Sequence, residues 1–304
     1  MAEFKAQLRE YGAEVEAELA RAMELPGVPE LLSRAMRYSI EAGGKRIRPC
    51  LALGCSDMLL GDRAMALRLG CALEMIHTYS LIHDDLPCID NDDMRRGRPS
   101  NHKVFGEGQA VFAGDALLTY AFEYLLGSDA PFSGEYYRRA CFEIAKRAGA
   151  SGMVAGQSLD LEAEQNRILD EDLLHRIHFH KTADMLIAAV LSGAYSAAAG
   201  EEAIRRLESY ASAIGLLFQI TDDILDHEGD EALMGKTLGK DLETNKLTYV
   251  TLYGLDRAKE LAERAAEKAS EALSLFGRDQ KSERAQAGFS FLSEMIRFIK
   301  DRKN

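Results

Sequence analysis

The chain has 304 residues, 49 acidic against 37 basic side chains, a formal net charge of −12, and 47% hydrophobic residues. That acidity argues against a nucleic-acid groove, which is usually basic. The apolar fraction excludes a disordered or fibrous chain, because a sizeable core can form.

Six prolines and no tryptophan, beside abundant Ala, Leu, Glu, Arg and Met, favour an almost entirely helical protein. Met1 to Arg21 carries charges every few residues and lacks the apolar run and cleavage site of a signal peptide, so no export is expected. Leu31 to Ala42 has apolar residues at 31, 32, 35, 36 and 40, and Gly43-Gly44 supplies a helix stop. Pro49 suits the first turn of the next helix, which ends near Gly61. Asp62 then caps a long helix through Leu69, Leu73, Ile76, Leu81 and Ile82, broken at Pro87. Residues 88–103 are polar and read as a loop.

Further helices are expected over 107–126, 134–148, 151–164, 171–198, 202–227, 241–254, 256–275 and 281–300, with Asp170 capping the one that starts at 171. Met185 to Gly200 is the most apolar stretch, but it falls short of the roughly 20 residues a membrane span requires and reads as a buried core helix. No strand-like alternation appears, so no β-sheet is expected. No linker divides residues 1–304, which therefore read as a single all-α domain. Cysteines at 50, 55, 71, 88 and 141 form no C-x-x-C pair and read as reduced thiols of a cytoplasmic protein.

One short motif recurs. Asp84-Asp85-Leu-Pro-Cys-Ile-Asp90 and Asp222-Asp223-Ile-Leu-Asp226 each end a strongly apolar helix. Asp222 and Asp226 are four apart, so their carboxylates share one helical face about 40° apart. Asp84 and Asp90 would be turned roughly 240° apart on a regular helix, unless a break at Leu86-Pro87 returns them to one side. Like charges repel there, and hard oxygen donors without nearby Cys or His favour Mg²⁺ or Mn²⁺. A solvated acidic helix end is the plain alternative for one cluster; its repetition weighs against that.

Cations complement the acids. Gly43-Gly44-Lys45-Arg46-Ile47-Arg48-Pro49 places three of them between two helices, where the following N-terminus also suits an anion. Arg95 and Arg96 follow the first acidic motif, and Lys181, Lys236, Lys240 and Lys246 surround the second. Each could be a solvated basic turn; the alternation of acids and bases points to a metal-bridged polyphosphate ligand.

Together these segments resemble the trans-type polyprenyl diphosphate synthase family, especially its bacterial farnesyl diphosphate synthases. The resemblance spans nearly the whole chain and rests on GGKRIRP (43–49), HTYSLIHDDLPCIDNDDMRRGRPS (77–100), AGDALL (113–118), GQSLDL (156–161), HKTADML (180–186), FQITDDILD (218–226) and GKTLGKDLETNKLTYV (235–250). It implies one large orthogonal helix bundle around a deep central cavity, usually a homodimer, with about three Mg²⁺ per active site. By the same resemblance Asp84, Asp90, Asp222 and Asp226 are metal ligands, Asp226 either directly or through water, with Asp85 in close support. Arg95, Lys181, Lys236 and Lys246 are implied to contact the allylic diphosphate. Lys45, Arg48, His77 and Arg96 match the isopentenyl diphosphate pocket, and Thr182 and Gln219 face the allylic carbocation. Asp160 is a further acid near this set.

The implied chemistry suits those residue types. Breaking an allylic C–O bond leaves a delocalised cation and a highly charged diphosphate, which Mg²⁺ and Lys stabilise, while an apolar cavity keeps water from the cation. His77 lies seven residues before Asp84, about 20° round the helix and roughly 10 Å along it, so both can face one cavity. In the family a bulky residue five positions before the first aspartate stops chain growth. Here that residue is Tyr79, followed by the small Ser80. Five residues turn an ideal helix about 140°, so the floor role comes from the resemblance. It implies a C15 product, farnesyl diphosphate, with C20 geranylgeranyl diphosphate as the alternative.

Other readings fit less of the chain. Glu74-x-x-His77 is half of a di-iron carboxylate signature, and Asp172-x-x-His175 is an imperfect second half. A terpene cyclase would carry a second motif of mixed Asn, Ser or Thr with Glu, and a non-catalytic subunit would lack one aspartate motif. Arg297, Lys300, Arg302 and Lys303 read as a solvated helix end. Residues 84–93 hold five acids and 222–231 hold six, with no Lys or Arg in either window, so the rest of the chain is nearly neutral at 38 acids against 37 bases.

Overall fold

The structure, a computed structural model, describes residues 1–127, 132–166, 168–228, 247–277 and 282–302. Among them the fold is all-α apart from one small ribbon. Helices α1 (Ala2–Ala22), α2 (Glu30–Ile40), α3 (Ile47–Met58) and α4 (Arg63–Asp84) open the chain. The Asp62 carboxylate caps α4 by accepting from the Met65 amide at 3.0 Å.

Helix α4 stops at Asp84, three residues short of the expected break at Pro87. Proline disfavours helical geometry in the residue before it and clashes one turn back, so the helix ends early rather than kinking. The chain turns, and the Asp90 amide donates to the Asp84 carbonyl at 2.9 Å. Residues 88–103 hold more structure than a loop. Strands β1 (Met94–Arg95) and β2 (Arg98–Pro99) pair antiparallel around Arg96 and Gly97, whose φ values of 53° and 73° make a tight hairpin turn. Two-residue strands are too short to show alternation, so the ribbon corrects the expectation of no sheet. Helix α5 (Asn101–Phe105) follows directly.

Helices α6 (Glu107–Leu126), α7 (Glu135–Ala148) and α8 (Met153–Asn166) come next, within two residues of expectation. The predicted helix over 171–198 is instead three pieces: α9 (Glu171–His178), a π-helical turn (Phe179–Ala183) and α10 (Asp184–Ser196). A wide turn adds one residue to the ladder without disturbing the apolar run, so periodicity does not reveal it. Asp170 caps α9 through the Leu173 amide at 2.7 Å. The chain closes with α11 (Glu201–Glu228), α12 (Tyr249–Tyr253), α13 (Leu255–Ser274) and α14 (Glu283–Lys300). The part of the expected 241–254 helix before residue 247 lies outside the described residues.

The centre is built from α10 and α3. Every residue from Asp184 to Tyr195 is buried, as is every residue from Pro49 to Met58. Helix α10 packs on α3, α4, α7 and α11, which suits a helix apolar all round. Among the described residues no helix is long and apolar enough to cross a membrane. All five cysteines are free.

Candidate active site

Two adjoining cavities lie where α3, α4, α8, the π-helical turn, α10 and α11 meet. The smaller is cationic, lined by Lys45, Arg46, Arg48, His77, Arg96, Thr182 and Phe218 among others. The larger, of about 410 Å³, is lined by Tyr79, Ser80, Asp84, Met153, Leu161 and Lys181 among others, mostly through apolar surface. Arg48, His77 and Thr182 border both, so a charged compartment joins an apolar one.

In the cationic compartment, burial pulls the Arg48 guanidinium down to about 10, opposed by Glu74 and reinforced by Arg96. Its Nε is buried without a hydrogen-bond partner, a donor that an anion would satisfy. Burial also holds His77 well below the usual imidazole range, and Arg48 and Arg96 push the same way, so the ring is neutral. Lys45 lies 5.5 Å from the Phe298 ring centroid, its ammonium lowered first by burial and then by Arg302. Arg96 donates to the Gly43 carbonyl.

Beneath these cations lies Glu74, 1% exposed, whose carboxylate accepts from Arg46 at 2.7 Å and stands 3.9 Å from Arg96. Its carboxylate is a counter-ion, and the di-iron signature is not assembled: Asp172 is exposed, and His175 Nδ1 meets the Tyr249 hydroxyl at 3.1 Å. The counter-ion role was missed, although an acid within an apolar helix beside an Arg-rich turn was its signal.

At the first aspartate motif, burial raises the half-buried Asp84 to about 6, with Asp90 and Asp85 pushing up and Lys181 opposing. Asp85 is buried and its carboxyl is raised by that burial, while Arg95 holds it down by donating to it. Arg95 also reaches Asp92 at 3.3 Å, so here it orients the acidic loop rather than facing the cavity.

The π-helical turn presents two expected residues. Lys181 Nζ donates to Asp160 Oδ2 at 2.6 Å, and Thr182 Oγ1 donates to Gln219 Oε1 at 3.1 Å. Gly156 makes this possible, because a Cβ there would stand 2.2 Å from the Lys181 backbone nitrogen. The missing side chain lets α8 lie against the turn and brings Asp160 to Lys181.

On α11, Gln219 Nε2 donates to Asp223 Oδ1 at 3.0 Å, and Asp223 Oδ2 accepts from the Tyr249 amide at 2.8 Å. Asp223 is therefore the structural member of the second motif. Asp222 faces Arg302, 2.7 Å away, and Asp226 stands half-exposed one turn on. Arg302 corrects the expectation of a solvated helix end: its side chain is 9% exposed and donates to the Phe218 carbonyl. Lys236, Lys240 and Lys246 lie outside the described residues.

Among the described residues no three His, Cys, Asp or Glu side chains converge into a metal cage. All-oxygen donors spread over Asp84, Asp90 and Asp222 suit Mg²⁺, which commonly keeps waters and takes one or two carboxylates together with phosphate oxygens.

The polyprenyl synthetase family model matches residues 29–286. The geranylgeranyl pyrophosphate synthase, chloroplastic, of Catharanthus roseus is 47% identical over 248 residues, covering 82% of this chain and 70% of that protein. An FPP/GFPP synthase from Zymomonas mobilis superposes with a TM-score of 0.84 at 33% identity, covering 98% of each chain. A geranyltransferase from Helicobacter pylori, complexed with magnesium and isoprenyl diphosphate, superposes with a TM-score of 0.81 at 32% identity, covering 95% of this chain and 97% of that one. The cavity pair thus sits in an isoprenoid synthase fold, and the chain belongs to the polyprenyl synthetase family of trans-prenyltransferases.

Proposed function

We propose that this chain condenses isopentenyl diphosphate with an allylic diphosphate in a Mg²⁺-dependent reaction. The observation that carries this reading is the cationic compartment joined to an apolar cavity through Arg48, His77 and Thr182. Lys45, Arg48 and Arg96 hold the isopentenyl headgroup, and Lys181, with Lys236 and Lys246, holds the allylic diphosphate. Arg95 reaches that diphosphate only by exchanging Asp85 and Asp92. Asp84, Asp90, Asp222 and Asp226 hold the metal, which when bound supplies positive charge to the leaving diphosphate.

The residues then divide the work by chemistry. His77, held well below the usual imidazole range, completes the isopentenyl headgroup pocket as a neutral hydrogen-bond donor. The Thr182 and Gln219 oxygens offer the developing carbocation lone pairs, and the apolar walls exclude water. No nucleophilic Ser or Cys is needed.

Similarity to the plant geranylgeranyl synthase, higher than to the bacterial structures, favours a C20 product over the C15 product expected from sequence. One observation favours C15 as a second reading: Tyr79, 6% exposed, stands in the cavity wall. A homodimer belongs to the same proposal, since Phe112 of α6 and Phe142 of α7 are 61% and 62% exposed, as does cytoplasmic residence for a chain of free thiols.

Incubation with isopentenyl diphosphate, Mg²⁺ and dimethylallyl or geranyl diphosphate, with chromatography of the products, tests the reading. Chain elongation that stops on chelating the metal is expected; no elongation defeats it. The C15 to C20 ratio chooses between the products.

A further inference from the structure

The AGDALL segment (113–118) and His83 have no part in the reaction described above, yet they meet at the cavity wall. A Cβ built on Gly114 would stand 2.1 Å from His83 Nε2 and 2.5 Å from its Cδ2. The imidazole of α4 therefore occupies the space that any other side chain on α6 would fill. His83 Nε2 is 3.1 Å from the Val111 carbonyl oxygen and 3.9 Å from Asp115 Oδ1. A carbonyl only accepts, so Nε2 carries the hydrogen and donates to α6.

Tyr79 lies four residues before His83, on the same face of α4. The two rings meet edge-on, with centroids 5.7 Å apart and planes at 81°. Tyr79, His83 and Asp84 all line the larger cavity. Tyr79 is thus held edge-on along the cavity wall by an imidazole that is itself anchored to α6 through the gap at Gly114.

We propose that the Gly114–His83 latch is a specificity-determining element of the elongation reaction, because it sets how far Tyr79 is held into the cavity and so where the growing prenyl chain stops. The latch rests on the prenyl-elongation reading above. His83 is a positioning residue: it acts on chain length through Tyr79. Removing the imidazole lets the Tyr79 ring swing into the vacated space and deepens the cavity. A methyl at Gly114 drives the imidazole off α6 toward Tyr79 and shortens it.

The test uses the full chain and two variants, His83→Ala and Gly114→Ala, each supplied with isopentenyl diphosphate, geranyl diphosphate and Mg²⁺. Product lengths, kcat and thermal melting are read together. His83→Ala is expected to raise the product one C5 unit longer than the parental one by about tenfold relative to it, and Gly114→Ala to shift the ratio about as far toward the shorter product, as a change of a few methylenes in an apolar pocket does. Parental elongation with an unchanged length distribution in His83→Ala overturns the latch, even if Gly114→Ala fails to fold. If the unaltered chain elongates nothing, the elongation reading itself falls.

Discussion

Arg302 lies on Asp222: Nη2 is 2.7 Å from Oδ1, and the guanidinium stands 3.9 Å from the Phe218 ring centroid. The last described residue therefore sets a tethered cation against the second aspartate motif, the place assigned to a metal. Because the two cations compete, Arg302→Ala is expected to tighten Mg²⁺ binding in the absence of substrate about fivefold, equivalent to the roughly 1 kcal/mol of a partly exposed ion pair. Calorimetric titration measures this, and an unchanged dissociation constant rejects the competition.

Lys181 is held by Asp160 at 2.6 Å in a turn that exists only as a π-helical widening. Lys181→Ala removes a donor placed where diphosphate charge develops, so kcat should fall by about 10²–10³-fold with the helical circular dichroism unchanged. Asp160→Asn leaves the ammonium present but less well oriented and should cost less. Equal losses for the two variants would contradict an orienting role for Asp160.

Asp84 carries a pH signature. Its folded-state carboxyl is raised from 3.8 to about 6, so the metal-free folded protein holds a proton that the unfolded chain releases. The resulting stabilisation is present below about pH 4 and is lost as pH rises through 6. Asp84→Asn should therefore stabilise the metal-free protein at pH 8 by about 2 kcal/mol and by much less at pH 4, while abolishing turnover. Urea melts of both proteins at the two pH values, with EDTA present, check this. A strong destabilisation at pH 8 would show Asp84 to be structural.

Tyr79→Ala should lengthen the product by at least one C5 unit, since it removes the wall-forming ring itself. Chromatography of the products decides it. Unchanged lengths would mean that another residue limits the chain.

Chelation separates fold from function. The core of α10 and α3 is apolar and buries no expected metal ligand, so EDTA should abolish turnover while the far-ultraviolet spectrum stays within a few per cent. Cooperative loss of helix on chelation would instead make the metal structural.

The all-helical class, most of the helix limits and the two aspartate motifs were legible in the sequence, because apolar periodicity, capping residues such as Asp62 and Asp170, and prolines act locally. The acids behind the net charge of −12 were legible for the same reason. Tertiary structure alone decided that Lys181 and Thr182 sit on a π-helical turn and that Glu74 is a counter-ion to Arg46. It also decided that Arg302 reaches back to Asp222 and that Gly114 makes room for His83. These features depend on distances between helices far apart in the chain, and those distances follow from how side chains pack rather than from the spacing of residues along any one helix.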